Sequence, residues 1–150
     1  MTGDRQRVVR LTAIGGLAFW ATNLAISLTP TAADYRAALS IPYVPMLVEA
    51  LAGGLLIALG VSWVLVRQPT ALPKASPMGQ ALLLSLIALV IVTVVIELPS
   101  KVLMNSADPL RYFLIGTAFN AVRILALGVA IAAPVAGVLS RQGRSEPRLD

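Results

Sequence analysis

The chain has 150 residues, of which 57% are hydrophobic and 13% are charged, with a formal net charge of +5 and neither cysteine nor histidine. Without these two residue types the chain can form no disulfide, thiol nucleophile, histidine proton relay or zinc site of nitrogen and sulfur ligands. The composition indicates a single membrane domain covering residues 1–150. We predict no cofactor and no metal.

Four apolar stretches are long enough to cross a bilayer, which takes about 20 residues of helix. We predict an all-α bundle of four transmembrane helices, with spans at Leu11–Leu28, Met46–Val66, Ala81–Leu98 and Phe113–Leu139. The fourth stretch is long enough to require tilt or a kink at Pro134.

The first stretch has an alternative interpretation as a signal peptide. Arg5, Arg7 and Arg10 precede it, and Thr31 begins a Thr-Ala-Ala segment of the kind found at cleavage sites. Its apolar core of about 18 residues exceeds the roughly 7–15 residues of a signal sequence, so we favour a retained helix.

The first connection, Thr29–Pro45, predicts a short interfacial helix. A capping box beginning at Thr31 opens this helix, and the segment before Pro42 ends it. Tyr35 and Tyr43 are expected at headgroup depth, where tyrosines are enriched.

Two other segments lack a helical pattern. Arg67–Gln80 carries three prolines and is predicted to be an extended, helix-free link. Residues 140–150 are polar and contain glycine and proline, so they are predicted to be a disordered tail.

The basic residues that flank the spans predict the orientation of the chain. Eight of these eleven lie at the termini and in the second connection, and three lie in the other connections. The first group is Arg5, Arg7, Arg10, Arg67, Lys74, Arg141, Arg144 and Arg148, and the second is Arg36, Lys101 and Arg111. By the positive-inside rule, both termini are cytoplasmic in a multi-pass protein of the cell membrane. Because the basic residues are split among short segments, we do not expect nucleic-acid binding.

Arg123 lies in the middle of the fourth stretch, where a guanidinium requires a partner. Glu49 and Glu97 are the candidate partners, and Glu49 is favoured because it lies deeper in its span. Asn23 and Asn120 fall in the same outer half of the bundle. We predict that these five residues line one polar cleft that opens outward and binds an ion or solute.

Small and polar residues recur at intervals of three and four on one face of three spans, which predicts their packing sides. These faces are Gly16, Trp20, Asn23 and Ser27 in the first span, Glu49, Gly53, Leu56, Gly60 and Trp63 in the second, and Gly116, Asn120, Arg123, Leu127, Ala130 and Pro134 in the fourth.

The Arg123 site has two interpretations. Its pair with Glu49 either locks two helices together or serves a ligand, with Arg123 holding an anionic group and Glu49 or Glu97 able to gain a proton. We interpret the chain as a small transporter or channel subunit, and as a homo-oligomer because four helices enclose little space.

The alternative is a non-catalytic accessory or assembly subunit of a larger membrane complex. We do not expect an enzyme, because a lipid-headgroup enzyme would be expected to carry paired carboxylates on one helix, a glycine-rich phosphate loop or a histidine base. Neither interpretation identifies the ion, the solute or the partner subunit.

Because the chain contains no cysteine, single cysteines can be introduced to test the predicted topology. Asp34→Cys and Ser76→Cys should react with a membrane-impermeant thiol reagent from opposite faces of oriented vesicles, because one lies in the first connection and the other in the second. Labelling of both from the same face would contradict the predicted topology.

Overall fold

The computed structural model of the protein describes residues 2–68, 75–103 and 108–142, with side chains at 3–68, 75–100 and 108–134. The described residues form six α-helices and one π-helical segment, and they include no β-strand. The α-helices are α1 Thr2–Ser27, α2 Pro30–Ala38, α3 Tyr43–Arg67, α4 Pro77–Val92, α5 Leu98–Leu103 and α6 Pro109–Gln142, and the π-helical segment Thr93–Glu97 joins α4 to α5.

Four helical stretches are long and apolar enough to cross a membrane, which confirms the predicted number of spans and fits a small integral membrane protein. They are Gly3–Ser27, Tyr43–Arg67, Pro77–Ser100 and Pro109–Pro134. The third stretch runs through the π-helical segment. α6 continues through Pro134 as far as Gln142, so it extends beyond the start of the predicted tail, while residues 143–150 lie outside the described part of the chain.

The helix α1 packs against both α3 and α6, and α4 packs against α6. Gly15 lies beside Ala58 of α3 and Ile131 of α6, whereas Asn23 contacts Arg123 of α6, so α1 runs antiparallel to α6. We call the end of the bundle where α1 ends and α3 and α6 begin the cavity end, and the opposite end the tail end.

The core of the bundle is apolar and consists of small and branched side chains from all four spans. Its buried members are Leu11, Phe19, Ala50, Ala58, Val61, Leu65, Ala81, Ile124, Leu127, Ile131 and Ala132. Large apolar side chains such as Leu86, Ile91 and Val95 also cover the outside. Such a surface is exceptional in water but suits contact with lipid acyl chains.

Glycines allow α1 and α3 to approach closely. A Cβ on Gly54 would lie 2.7 Å from Cδ1 of Phe19, and a Cβ on Gly16 would lie 3.2 Å from the Cα of Leu55. Near the cavity end, the indole Nε1 of Trp20 donates to the carbonyl of Leu47 at 3.2 Å, which joins the same two helices.

The predicted packing side of α3 is wrong. The buried side is displaced from it by one residue, which is a rotation of about 100° around the helix axis. Glu49 and Gly60 are exposed, Leu56 is 70% exposed and Trp63 is 49% exposed. The buried side consists of Ala50, Gly54, Ala58, Val61, Ser62 and Leu65. Both sides carry small residues, seven apart on the predicted side and four apart on the buried side, and contact with α1 selects the side that admits Phe19.

Two predicted helix starts are also corrected. α2 is capped by Thr29, whose Oγ1 accepts from the N–H of Ala32 at 3.3 Å, and not by Thr31. α4 begins at Pro77, inside the link predicted to be free of helix, and Ser76 caps it by accepting from Gly79 at 3.2 Å. Each helix has a proline in its first turn, where the missing N–H removes a donor that would have no partner.

The end of α2 follows the Schellman pattern. Ile41 donates its N–H to the carbonyl of Arg36 at 2.9 Å, and Ser40 donates to Ala37 at 3.3 Å. Ser40 accordingly has a positive φ of 52°. A helix was predicted in this connection, and both of its ends are held by specific hydrogen bonds.

Two adjacent glycines of α3 give a matched test of the packing. Gly54→Ala should lower the free energy of unfolding by about 1–3 kcal/mol, because its Cβ overlaps buried Phe19. Gly53→Ala should be neutral or stabilising by up to about 1 kcal/mol, because no atom lies within 4 Å of its Cβ. Unfolding in mixed detergent micelles measures both, and the reverse order would contradict this packing of α3.

Candidate functional site

A cavity of about 210 Å³ opens at the cavity end of the bundle, between α1, α3, α6 and the short helix α2. All five residues predicted from the sequence to form a polar cleft lie in its wall: Asn23, Glu49, Glu97, Asn120 and Arg123. α2 adds Tyr35 and Arg36, and apolar lining comes from residues that include Ile26, Met46 and Phe119. The structure therefore brings the predicted residues around one space.

Arg123 points into the protein, where its hydrogen bonds go to neutral oxygens. Its Nη1 donates to Oδ1 of Asn23 at 2.7 Å, and its Nε donates to the carbonyl of Phe119 at 3.0 Å. The guanidinium carbon also lies 5.6 Å from the centre of the Phe19 ring, a cation–π contact. The hydrogen bond to Asn23 and the contact with Phe19 connect α6 to α1.

The predicted pairing of Arg123 with Glu49 is corrected. Glu49 lines the same cavity but is exposed, and it makes no hydrogen bond or ion pair with any residue in the described ranges. The physical reason is the rotation of α3, which directs Ala50 and Gly54 toward α1 and turns Glu49 away from the packed side. Glu97, the second candidate, lines the same cavity and accepts a hydrogen bond from Asn120.

Glu97 is held by the neighbouring helix. Its Oε1 accepts from Nδ2 of Asn120 at 2.8 Å, and its Oε2 approaches Gly116, where a Cβ would lie 2.7 Å away. The hydroxyl of Tyr35 would lie 2.8 Å from the same Cβ. Gly116 therefore leaves room for a carboxylate and a phenol beside α6.

The π-helical segment places Glu97 at its last residue. An extra residue in a helical turn rotates everything after it, and π-helical turns occur frequently at functional sites. Apolar periodicity gives no sign of such a turn. The run of Val94, Val95 and Ile96 is compatible with ordinary helix, so the sequence analysis missed it.

Tyr35 and Arg36 of α2 line the cavity but were not among the five residues predicted to form it. Tyr35 makes edge-on contacts with Phe119 at 5.7 Å and Tyr112 at 6.1 Å between ring centres. Arg36 donates from Nη1 to the carbonyl of Ser27 at 3.0 Å, with its guanidinium carbon 5.0 Å from the centre of the Tyr43 ring. The signals in the sequence were the proline in the first turn of α2 and its capping residues, which favour a well-defined helix. This helix supplies one wall of the cavity.

The interior below the cavity is closely packed. Ile124, Leu127, Ile131, Ser62 and Ser85 are fully buried there. Gly128 approaches the hydroxyl of Ser85 closely, and Ser85 donates to the carbonyl of Ala81 at 2.9 Å. This packing closes the cavity toward the tail end within a single chain.

The cavity wall presents charged and amide side chains. Among the described residues, no group of three or more histidine, cysteine, aspartate or glutamate side chains is arranged to hold a metal ion. The cavity wall instead carries two arginines, two glutamates and two asparagines. Their formal charges sum to zero.

Comparisons of the chain with protein-family models, with curated proteins and with solved structures find no match. The function of the chain is therefore inferred from the residues of the cavity.

Double-mutant cycles should locate the partner of Arg123. The cycle of Arg123→Gln with Asn23→Ala should give a coupling of about 1–3 kcal/mol in the free energy of unfolding, because it removes a hydrogen bond to a charged group. The matched cycle of Arg123→Gln with Glu49→Gln should give less than about 0.5 kcal/mol. A larger coupling to Glu49 than to Asn23 would contradict this geometry.

Proposed function

We propose that this chain is a small membrane transport protein, a transporter or channel subunit, whose cavity receives an ion or small polar solute. The observation that carries the proposal is the position of Arg123 at the cavity wall with neutral hydrogen-bond partners. A guanidinium costs at least about 2.5–3.5 kcal/mol at the centre of a membrane helix. A guanidinium at the wall of an open cavity, with no carboxylate hydrogen-bonded to it, is available to an anionic ligand.

In this proposal the cavity end faces outward and both termini are cytoplasmic. The support is the excess of basic residues at the termini and in the second connection, on the opposite side from the cavity. The solute would enter from outside, beside α2. The cell membrane is the proposed location.

Transport through a single chain would require the packed tail end to open. The other transport route that we propose is a path between protomers, with α3 at the interface. Its unpacked side carries Gly53 and Gly60, where no atom lies within 4 Å of an added Cβ, and Glu49 lies on the same side. Small residues on an exposed membrane helix allow a second helix to approach closely. We therefore propose a homo-oligomer.

The second candidate function is an accessory subunit of a larger membrane complex, and the same side of α3 favours it. An apolar cleft of about 270 Å³ between α3 and α4, lined by residues that include Leu56, Ile57 and Ile87, adjoins that side. In this alternative, another membrane protein would pack there, and the cavity would not open to the tail end.

Accessibility of the cavity from the two faces of the membrane separates these functions. Met46→Cys places a thiol in the cavity wall outside the network of charged residues. A transport protein should allow a membrane-impermeant thiol reagent to reach it from the outer face and, in another state, from the inner face. Labelling from the inner face should be slower, because the packed layer closes that route in the structure.

Arg111→Cys and Ala75→Cys, both at exposed positions at opposite ends of the bundle, control for access from a single face. Labelling of Met46→Cys from the outer face alone, in well-folded vesicle-embedded protein, would refute transport and favour the accessory subunit.

A further inference from the structure

At the contact between Arg123 and Asn23, two hydrogen-bond donors have no partner in the described parts of the chain. Asn23 is 3% exposed, and its Nδ2 makes no hydrogen bond. Its Oδ1 must face Arg123, because a guanidinium only donates, so the position of Nδ2 follows from the 2.7 Å bond. Arg123 uses Nε and Nη1 for its two hydrogen bonds, which leaves Nη2 available.

Both donors belong to residues that line the cavity, Asn23 on α1 and Arg123 on α6, and the 2.7 Å hydrogen bond holds the two side chains together. The N–H donors of a guanidinium match the two oxygens of a carboxylate or two oxygens of a phosphate. An anionic group in the cavity would accept from the guanidinium of Arg123, whose orientation is set by the buried Asn23.

The cavity also offers an anion for a positively charged group. Glu49 lines it from α3 and forms no hydrogen bond or ion pair with the described residues, whereas Glu97 is held by Asn120 at 2.8 Å. Glu49 is therefore the carboxylate available to an ammonium group. Arg36, the other cavity arginine, donates from Nη1 to the carbonyl of Ser27 and lies over the ring of Tyr43. Arg123 is favoured as the partner of an anion because it is the arginine that buried Asn23 orients.

The charge balance of the cavity selects between a simple ion and a zwitterion. The two arginines and two glutamates of the wall cancel formally. A simple anion would satisfy Arg123 but face Glu49, and a simple cation would do the reverse, in a partly desolvated space where such repulsion is strong. A ligand with separated opposite charges avoids both penalties.

The volume sets the size of that ligand. A protein cavity of roughly 150 Å³ holds a benzene molecule, and this cavity has about 210 Å³. An amino-acid-like molecule fits such a space.

We propose that the cavity binds a small zwitterionic group, with its anionic end on Arg123, which Asn23 orients, and its ammonium end on Glu49. This inference rests on the proposed function, since it assigns a ligand class to the same cavity. A free amino-acid-like solute and a phosphoethanolamine headgroup share this chemistry, and the experiment distinguishes them.

Three molecules of nearly the same shape test the two charges separately. The full chain, in nanodiscs of phosphatidylglycerol, is titrated with L-alanine, with propionate, which lacks the ammonium, and with ethylamine, which lacks the carboxylate. Calorimetry should show L-alanine binding at least about tenfold more tightly than either, which corresponds to about 1.4 kcal/mol. Phosphoethanolamine is titrated in parallel, and phosphatidylethanolamine is added to the nanodiscs as a competitor.

Variants assign each end of the ligand. Glu49→Gln should lose the preference for L-alanine over propionate while still binding propionate, because only the ammonium partner is removed. Arg123→Gln should weaken both. Asp34→Asn, an exposed change on α2 at a residue that does not line the cavity, should leave every affinity unchanged. Because Glu49 is exposed, its variant should fold even if Arg123→Gln does not.

Equal affinities for L-alanine and propionate, or an unchanged preference in Glu49→Gln, would overturn the proposal, and so would no binding of any probe. Tight binding of phosphoethanolamine with competition by phosphatidylethanolamine would support it and identify a lipid headgroup as the source. These outcomes are separate from transport, because the labelling of Met46→Cys from two faces does not depend on which ligand binds.

Discussion

A guanidinium in the middle of an apolar helix must find hydrogen-bond acceptors, and the arrangement around Arg123 is how this bundle supplies them. Two of its donors go to the side chain of Asn23 on α1 and to the carbonyl of Phe119 on its own helix. Neither acceptor is charged, so the positive charge is oriented without being neutralised at contact distance. The same arrangement leaves the guanidinium at the wall of an open cavity, and solvent access there would lower the cost of keeping the charge at this depth.

The approach of α1 to α3 makes this arrangement possible. Gly16 and Gly54 remove the side chains that would separate the two helices, and Phe19 fills the space against Gly54. Phe19 lies one turn before Asn23 on α1, so the packing that seats the ring also sets the height and direction of the asparagine. Its ring contacts the guanidinium as well. Packing of small residues and orientation of the polar site are therefore coupled.

Two irregular elements shape the rest of the cavity. The π-helical segment ends at Glu97 and aims its carboxylate at Asn120 and Gly116 of α6. The helix α2, held at one end by the Thr29 cap and at the other by Ser40 with positive φ, brings Tyr35 against Phe119. Together they make a wall of mixed charge above a closely packed interior. The proposed zwitterionic ligand would match this wall, and the proposed transport would need a conformational change or a path between protomers, because the interior below the wall is closely packed.

The amino-acid sequence by itself determined the features that depend on one helix at a time. Apolar length determined the number of spans, and the position of Arg123, Asn23 and Asn120 within those spans indicated one polar region. The absence of cysteine and histidine restricted the chemistry. These conclusions follow from composition and periodicity, which are properties of a single segment.

Only the tertiary structure decided which side of each helix meets which partner. α3 carries small residues on two adjacent sides, one through Gly53 and Gly60 and one through Gly54 and Ala58, and periodicity cannot rank them. The ring of Phe19 selects the second side, and this choice turns Glu49 away from α1 and leaves Asn23 to bind Arg123. The outcome depends on the axial alignment and rotation of three helices against one another. Close packing between helices sets their alignment and rotation, so the sequence of one helix does not determine them.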